Sequence, residues 1–180
     1  MLVIAFVGKK CSGKDEGASY LGSKHDFTYL DYTKDVITPI LQKQGKEITR
    51  DNIIELVGSL RKEKGIDVLT AMISEKISGN TAISGLRFKE EAFYMRKRFG
   101  SNFKLVKVEA GDKMRWQRCI SRGTKGEGKN TFKEFMEREG LPTEKVIPET
   151  MELADFSIDN SGTKEEFYMQ IDSLLKRLKL

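Results

Sequence analysis

A chain of 180 residues has room for one domain with a substantial core and is short for two. Hydrophobic residues make up 38% and charged residues 33%, and no apolar stretch approaches the ~20 residues of a membrane-spanning helix, so a soluble globular protein is expected. The formal net charge is +5, but bases alternate with acids in Lys89–Arg98 and Lys133–Arg138 as on solvated helix faces, and a nucleic-acid partner is not indicated. The two cysteines, Cys11 and Cys119, are too few for a disulfide framework and wrongly spaced for zinc, which points to a reducing cytoplasm.

Met1–Val7 is an unbroken apolar run, suited to a strand buried on both faces, and it lacks the preceding basic residues of a signal sequence. It leads into Gly8-Lys9-Lys10-Cys11-Ser12-Gly13-Lys14-Asp15, after which Asp15–Leu21 can open a helix. Phe27–Leu30 reads as a second strand ending at Asp31, followed by a helix over about 33–44. Thr49 is placed to cap a helix bearing Ile53, Ile54, Val57 and Leu60, and a second helical pattern runs from Val68 to Ile77. Thr81–Ile83 gives strand three with the exit Gly85-Leu86-Arg87, then come a charged helix Lys89–Phe99, strand Phe103–Val108 and a helix Asp112–Ser121. A polar stretch, Gly123–Asn130, reads as a surface loop before a helix Phe132–Glu139. A helix Glu144–Leu153 despite Pro148, a strand Phe156–Ile158 and an amphipathic helix Thr163–Leu178 complete the chain.

Five short strands alternating with helices predict an α/β fold with a mainly parallel sheet covered on both faces, whose ligands gather at the carboxyl ends of the strands. Gly8, Asp31, Gly85, Arg87 and Asn160 all come to that edge.

The segment Gly8–Asp15 fits the phosphate-binding loop pattern except that Asp15 stands where Ser or Thr is usual. Glycines let the backbone wrap an anion, the amide groups and the helix dipole attract it, and Lys14 can pair with the terminal phosphates. The nucleotide-binding set is therefore Gly8, Lys9, Cys11, Ser12, Gly13, Lys14 and Asp15, with Cys11 itself a chemical bystander. His25 reads as a loop residue and Trp116 as packing.

Most of the chain resembles the P-loop nucleoside monophosphate kinase superfamily, particularly dephospho-coenzyme A kinases and a group of archaeal adenylate kinase-related proteins. The resemblance is carried by the loop, by Ile83-Ser84-Gly85-Leu86-Arg87 with Glu90, Glu91 and Arg96–Gly100, and by Ala154-Asp155-Phe156-Ser157-Ile158-Asp159-Asn160-Ser161-Gly162. It implies a three-layer P-loop NTPase fold with a small helical lid, an acceptor-covering helical region at about 46–79 and a lid at about 112–140. It also implies ATP-dependent phosphoryl transfer with Mg²⁺ to a nucleotide or another small phosphate-bearing acceptor.

In such an enzyme Asn160 and Gly162 lie near the adenine, and Arg115, Arg118 and Arg122 look like lid arginines. Asp31 orients or deprotonates the acceptor hydroxyl or, where the acceptor is already a phosphate, helps order magnesium; the other reading is that it caps the helix that follows it. Arg87 either grips an acceptor phosphate or pairs with Glu90 or Glu91. Two departures stand out: the archaeal group commonly has Asp where this chain has Ser84, and Asp15 ends the loop as in animal-type phosphomevalonate kinases and phage deoxynucleotide kinases. Asp15 is expected in the magnesium shell beside Asp31 or against an acceptor hydroxyl. A nucleotide-binding switch with little transfer activity is the alternative.

Overall fold

The structure is a computed structural model that describes residues 1–123 and 131–179; the polar stretch predicted as a loop lies, apart from Gly123, outside the described residues. The chain forms a five-stranded parallel sheet in the order β2-β3-β1-β4-β5, from β1 (Val3–Val7), β2 (Thr28–Asp31), β3 (Thr81–Ser84), β4 (Phe103–Glu109) and β5 (Phe156–Asp159). The α/β expectation is met. Each parallel neighbour needs a crossover, and helices supply them on both faces.

The central strand explains the layering. Val3, Ala5 and Val7 point to one face and Ile4 and Phe6 to the other, all fully buried. The odd face packs α2 (Thr38–Lys43), α3 (Arg50–Lys64), α4 (Val68–Ser74) and α5 (Lys89–Phe99), through residues such as Leu41, Leu56, Ile73 and Met95. The even face packs α1 (Lys14–Lys24) and, after the remaining helices α6 (Asp112–Arg122), α7 (Phe132–Glu139), α8 (Pro142–Lys145) and α9 (Ile147–Met151), the closing helix α10 (Lys164–Arg177). Gly17 lets α1 lie close to the sheet, since a β-carbon there would stand 3.1 Å from Phe6 and 3.2 Å from Phe167.

Two helices depart from expectation for the same reason. The segment expected as one helix over 33–44 begins as a π-helical turn, Tyr32–Ile37, before α2; Pro39 has no N–H to bond the carbonyl of Asp35, and Thr38 N–H reaches back five residues to Thr33. The expected helix Glu144–Leu153 is two short pieces, α8 and α9, because Pro148 denies Glu144 O its α-helical donor. Among the described residues no helix is long and apolar enough to cross a membrane.

Candidate functional site

The phosphate-loop segment leaves β1, passes through Cys11 at φ 59° and Gly13 at φ 109°, and turns directly into α1. Both values lie in the left-handed region, routine for glycine and unfavourable for cysteine. A β-carbon on Gly8 would meet Ser12 Oγ and Val108 O at 2.5 Å each, and one on Gly13 would meet Asn160 Nδ2 at 2.1 Å. Both glycines are thus required by close approach.

Side chains behind the loop hold its carbonyls. Arg115, 1% exposed, donates from Nη1 to Lys10 O (3.0 Å), and Asn160 donates from Nδ2 to Ser12 O (2.7 Å). In a planar trans peptide the following N–H points opposite to the carbonyl. Those two bonds therefore aim the Cys11 and Gly13 amides away from Arg115 and Asn160, as an anion cradle needs. Arg115 is itself fixed by Asp112 (2.6 Å), Glu139 (2.9 Å) and the Phe135 ring. The lid role expected of Arg115 is corrected on this ground: a guanidinium with these bonds is a buried brace between loop, α6 and α7.

Charge converges on Lys14. Desolvation lowers its pKa, the Asp15 carboxylate opposes that, Arg87 lowers it further, Glu144 raises it and Arg122 lowers it. Residues from α1, the β3 exit, α8 and α6 therefore act on one ammonium. Two neighbouring cations beside a desolvated lysine are an arrangement that an incoming polyanion relieves.

Arg87 donates through Nη1 to the Glu144 carboxylate and to Thr143 O. The alternative of a salt bridge with Glu90 or Glu91 is not what forms: Glu91 instead takes the backbone N–H of Arg87 (2.8 Å) and the Arg61 guanidinium (3.0 Å), because it is buried at the start of α5. Arg118 donates from Nη2 to Asn160 Oδ1 at 3.5 Å, while its buried Nη1 has no hydrogen-bond partner among the described residues, and burial lowers its pKa. Asn160, 7% exposed, is thus a strut between the loop and α6. Gly162 precedes α10, where a β-carbon would stand 2.1 Å from Glu166 Oε2, the carboxylate that reaches back to the Thr163 N–H.

An acidic group meets this basic one at Asp15, which acts on both Lys14 and Asp31. Asp31 accepts from Lys34 N–H (2.8 Å), so the capping reading holds, yet burial and then the Asp15 charge act to raise its carboxyl pKa. Asp35 accepts the Asp31 N–H (2.7 Å). Tyr29, whose hydroxyl lies 3.0 Å from Ser84 Oγ, is pushed up to about 12 by burial together with Asp15, Asp31 and Asp35. No group of three or more His, Cys, Asp or Glu side chains set to hold a metal occurs among the described residues. Mg²⁺ needs only one or two carboxylates when phosphates and waters complete its shell, so Asp31, half-buried and repelled by the neighbouring Asp15 carboxylate, fits it together with Asp15.

Three features escaped the sequence reading. Glu144 and Asp35 carry no motif signal, since their positions depend on α8 and on the π-helical turn. The third overturns an expectation: Cys11 is no bystander but is disulfide-bonded to Cys119 in α6, with Cα atoms 5.8 Å apart across 108 residues of sequence. His25, predicted as a solvated loop residue, lies 2.8 Å from Asp172 Oδ1 through Nε2, and Trp116 packs edge-on against Phe132 as expected.

The strand order and the strand–loop–helix cradle define the fold of the P-loop small-molecule kinases. Shikimate kinase from Bacteroides thetaiotaomicron superposes with a TM-score of 0.65 at 16% identity, covering 99% of each chain. Shikimate kinase from Aquifex aeolicus gives 0.57 at 24% identity over 99% of this chain and 96% of its own, and a gluconokinase from Sinorhizobium meliloti gives 0.55 at 13% over 98% and 93%. In sequence the chain is similar to archaeal proteins described as UPF0200. It is 29% identical to one from Methanosarcina acetivorans over 97% of this chain and 94% of that protein. It is 28% identical over 99% of its length to a UPF0200/UPF0201 protein of Archaeoglobus fulgidus, and spans only 56% of that protein. No protein-family model matches the chain.

Proposed function

We propose that this chain is an ATP-dependent phosphotransferase of the nucleoside monophosphate kinase type, acting on a nucleotide or a dephospho-coenzyme A-like small molecule in the cytoplasm. The observation that carries this reading is the convergence on Lys14: a loop with its carbonyls tied back by Arg115 and Asn160 surrounds an ammonium that also feels Arg87 and Arg122.

Phosphoryl transfer asks a protein chiefly for positioning and charge stabilisation. Residues 8–15 hold the donor phosphates and Lys14 bridges the terminal groups. Arg118 and Arg122, on α6 at the entry to a lid over about 112–140, add positive charge as the phosphoryl group moves. The buried Nη1 of Arg118, without a partner among the described residues, becomes a donor to nucleotide once its side chain turns outward, and Asn160 and Gly162 border the base. Asp15 and Asp31 would hold Mg²⁺, which would supply positive charge to shield the phosphates. Asp31 also orients the acceptor hydroxyl, and the helices of about 46–79 cover the acceptor. Arg87 meets the acceptor's phosphate by exchanging Glu144 for it.

The deciding experiment incubates the protein with ATP and Mg²⁺ against nucleoside monophosphates, dephospho-coenzyme A and phosphomevalonate, with product detected by mass. A product made from one acceptor and lost in Lys14→Ala supports the kinase. A second reading, a nucleotide-binding switch, is favoured by Ser84, whose hydroxyl at the β3 exit is engaged by Tyr29 where a carboxylate is common in the archaeal group. Binding of ATP without product from any acceptor would select it.

A further inference from the structure

We propose that the Cys11–Cys119 pair is a reversible thiol–disulfide site, through which a dithiol reductant lowers the affinity of the phosphate loop for nucleotide. The proposal rests on the reading of residues 8–15 as a nucleotide cradle. It starts from placement: the chain has two cysteines, and the structure joins them with one sulfur in the loop and the other in the helix that carries Arg118 and Arg122.

Cys11 is the residue whose conformation the bond helps to hold, together with the turn bond from Ser12 N–H to Lys9 O (3.1 Å). At φ 59° it occupies a region that L side chains leave when unrestrained, and its own N–H belongs to the peptide whose carbonyl Arg115 holds. Oxidised, Cys11 is fixed to α6, and α6 is fixed to the loop a second time by Arg115 and a third by Arg118 through Asn160. Reduced, Cys11 is held at positive φ only by the turn bond from Ser12 N–H to Lys9 O, and relaxing to negative φ breaks that bond and swings the Cys11–Ser12 peptide away from its place in the cradle. The bond therefore keeps a binding conformation ready that the nucleotide would otherwise have to impose.

Access favours one direction of attack. Cys119 is 3% exposed and Cys11 is half-buried, so a reductant thiolate reaches the Cys11 sulfur. The S–S bond breaks, Cys119 leaves as a thiolate and takes a proton, and a mixed disulfide forms at Cys11. The reductant's second thiol then displaces Cys11, which also takes a proton. Two electrons and two protons pass to the pair, and the dithiol leaves as its own disulfide.

The test measures Mg²⁺–ATP affinity of the oxidised and dithiothreitol-reduced protein by calorimetry, with circular dichroism confirming that both are folded. Reduced protein should bind about tenfold more weakly, the scale of the left-handed penalty for a non-glycine residue. Cys119→Ser should bind like the reduced form in either buffer, and adding Cys11→Gly should restore tight binding without any bond. Linkage supplies a readout that needs no variant: in a dithiol redox buffer, saturating ATP should shift the wild-type thiol count toward the disulfide by the same factor. Equal affinities and an unmoved thiol count would overturn the proposal while leaving the nucleotide reading intact. No binding by either form would overturn both.

Discussion

Asn160 and Ser12 are 148 residues apart in sequence, yet the side-chain amide of the first donates to the main-chain carbonyl of the second at 2.7 Å in a buried setting. The loop after the last strand thereby holds the loop after the first. Replacing Asn160 by Ala should strand a buried carbonyl, at a cost of about 1–3 kcal/mol, and loosen the Gly13 amide. Thermal melts and ATP titration should show lower stability together with weaker binding, whereas Ser161→Ala, which alters an exposed neighbour, should change neither.

Lys14→Ala removes the group on which the site's charges converge. Turnover should fall by about 10²–10³-fold, as for deletion of one transition-state donor, with little loss of fold. Single-turnover assays and circular dichroism would check this; an unchanged rate would remove Lys14 from the chemistry.

Asp31→Asn separates capping from charge. Asn caps as well as Asp, so the Lys34 contact survives while the repulsion from Asp15 ends. Because burial holds the folded-state pKa of Asp31 above its unfolded value, ionisation costs stability; the cost is absent where the carboxyl is protonated in both states and complete above the raised value. The variant should therefore melt higher than wild type at neutral pH and equally in acid, and should bind Mg²⁺–ATP less tightly. A variant that melts lower at neutral pH would show that the charge is already compensated.

Glu144→Gln tests what occupies Arg87. The neutral amide should release the guanidinium and lower the KM for an anionic acceptor by roughly twofold to fivefold, the scale of one half-exposed ion pair, with kcat little changed. Arg87→Ala should raise the same KM. Steady-state kinetics on the acceptor found by mass would decide, and an unmoved KM in both variants would take Arg87 away from the acceptor.

What the chain disclosed before its structure follows from how local each signal is. The buried strand, the two loop glycines and Lys14 are contiguous, and helices opened by Thr49, Thr131 and Thr163 carry their caps in sequence, so these were legible. Pro148 broke its helix where general rules place a break, although the apolar pattern around it suggested continuity. Arg115 and Arg118 read alike at helical spacing, and only packing turned the first inward to Lys10. Glu144 and the Cys11–Cys119 bond depend on contacts between distant segments, for which the sequence carries no periodic trace.

Strand β1 precedes the other four strands in chain order and is the middle of the finished sheet, and its registered neighbours begin at Thr81 and Phe103. Five consecutive apolar residues must therefore wait, during synthesis, for partners some eighty and a hundred residues downstream. Such long-range parallel pairing slows folding and leaves a sticky segment uncovered meanwhile. The nascent chain should accordingly depend on crowding-resistant shelter, such as a chaperone, until β3 and β4 have emerged, and refolding from denaturant should lose more material to aggregation as protein concentration rises.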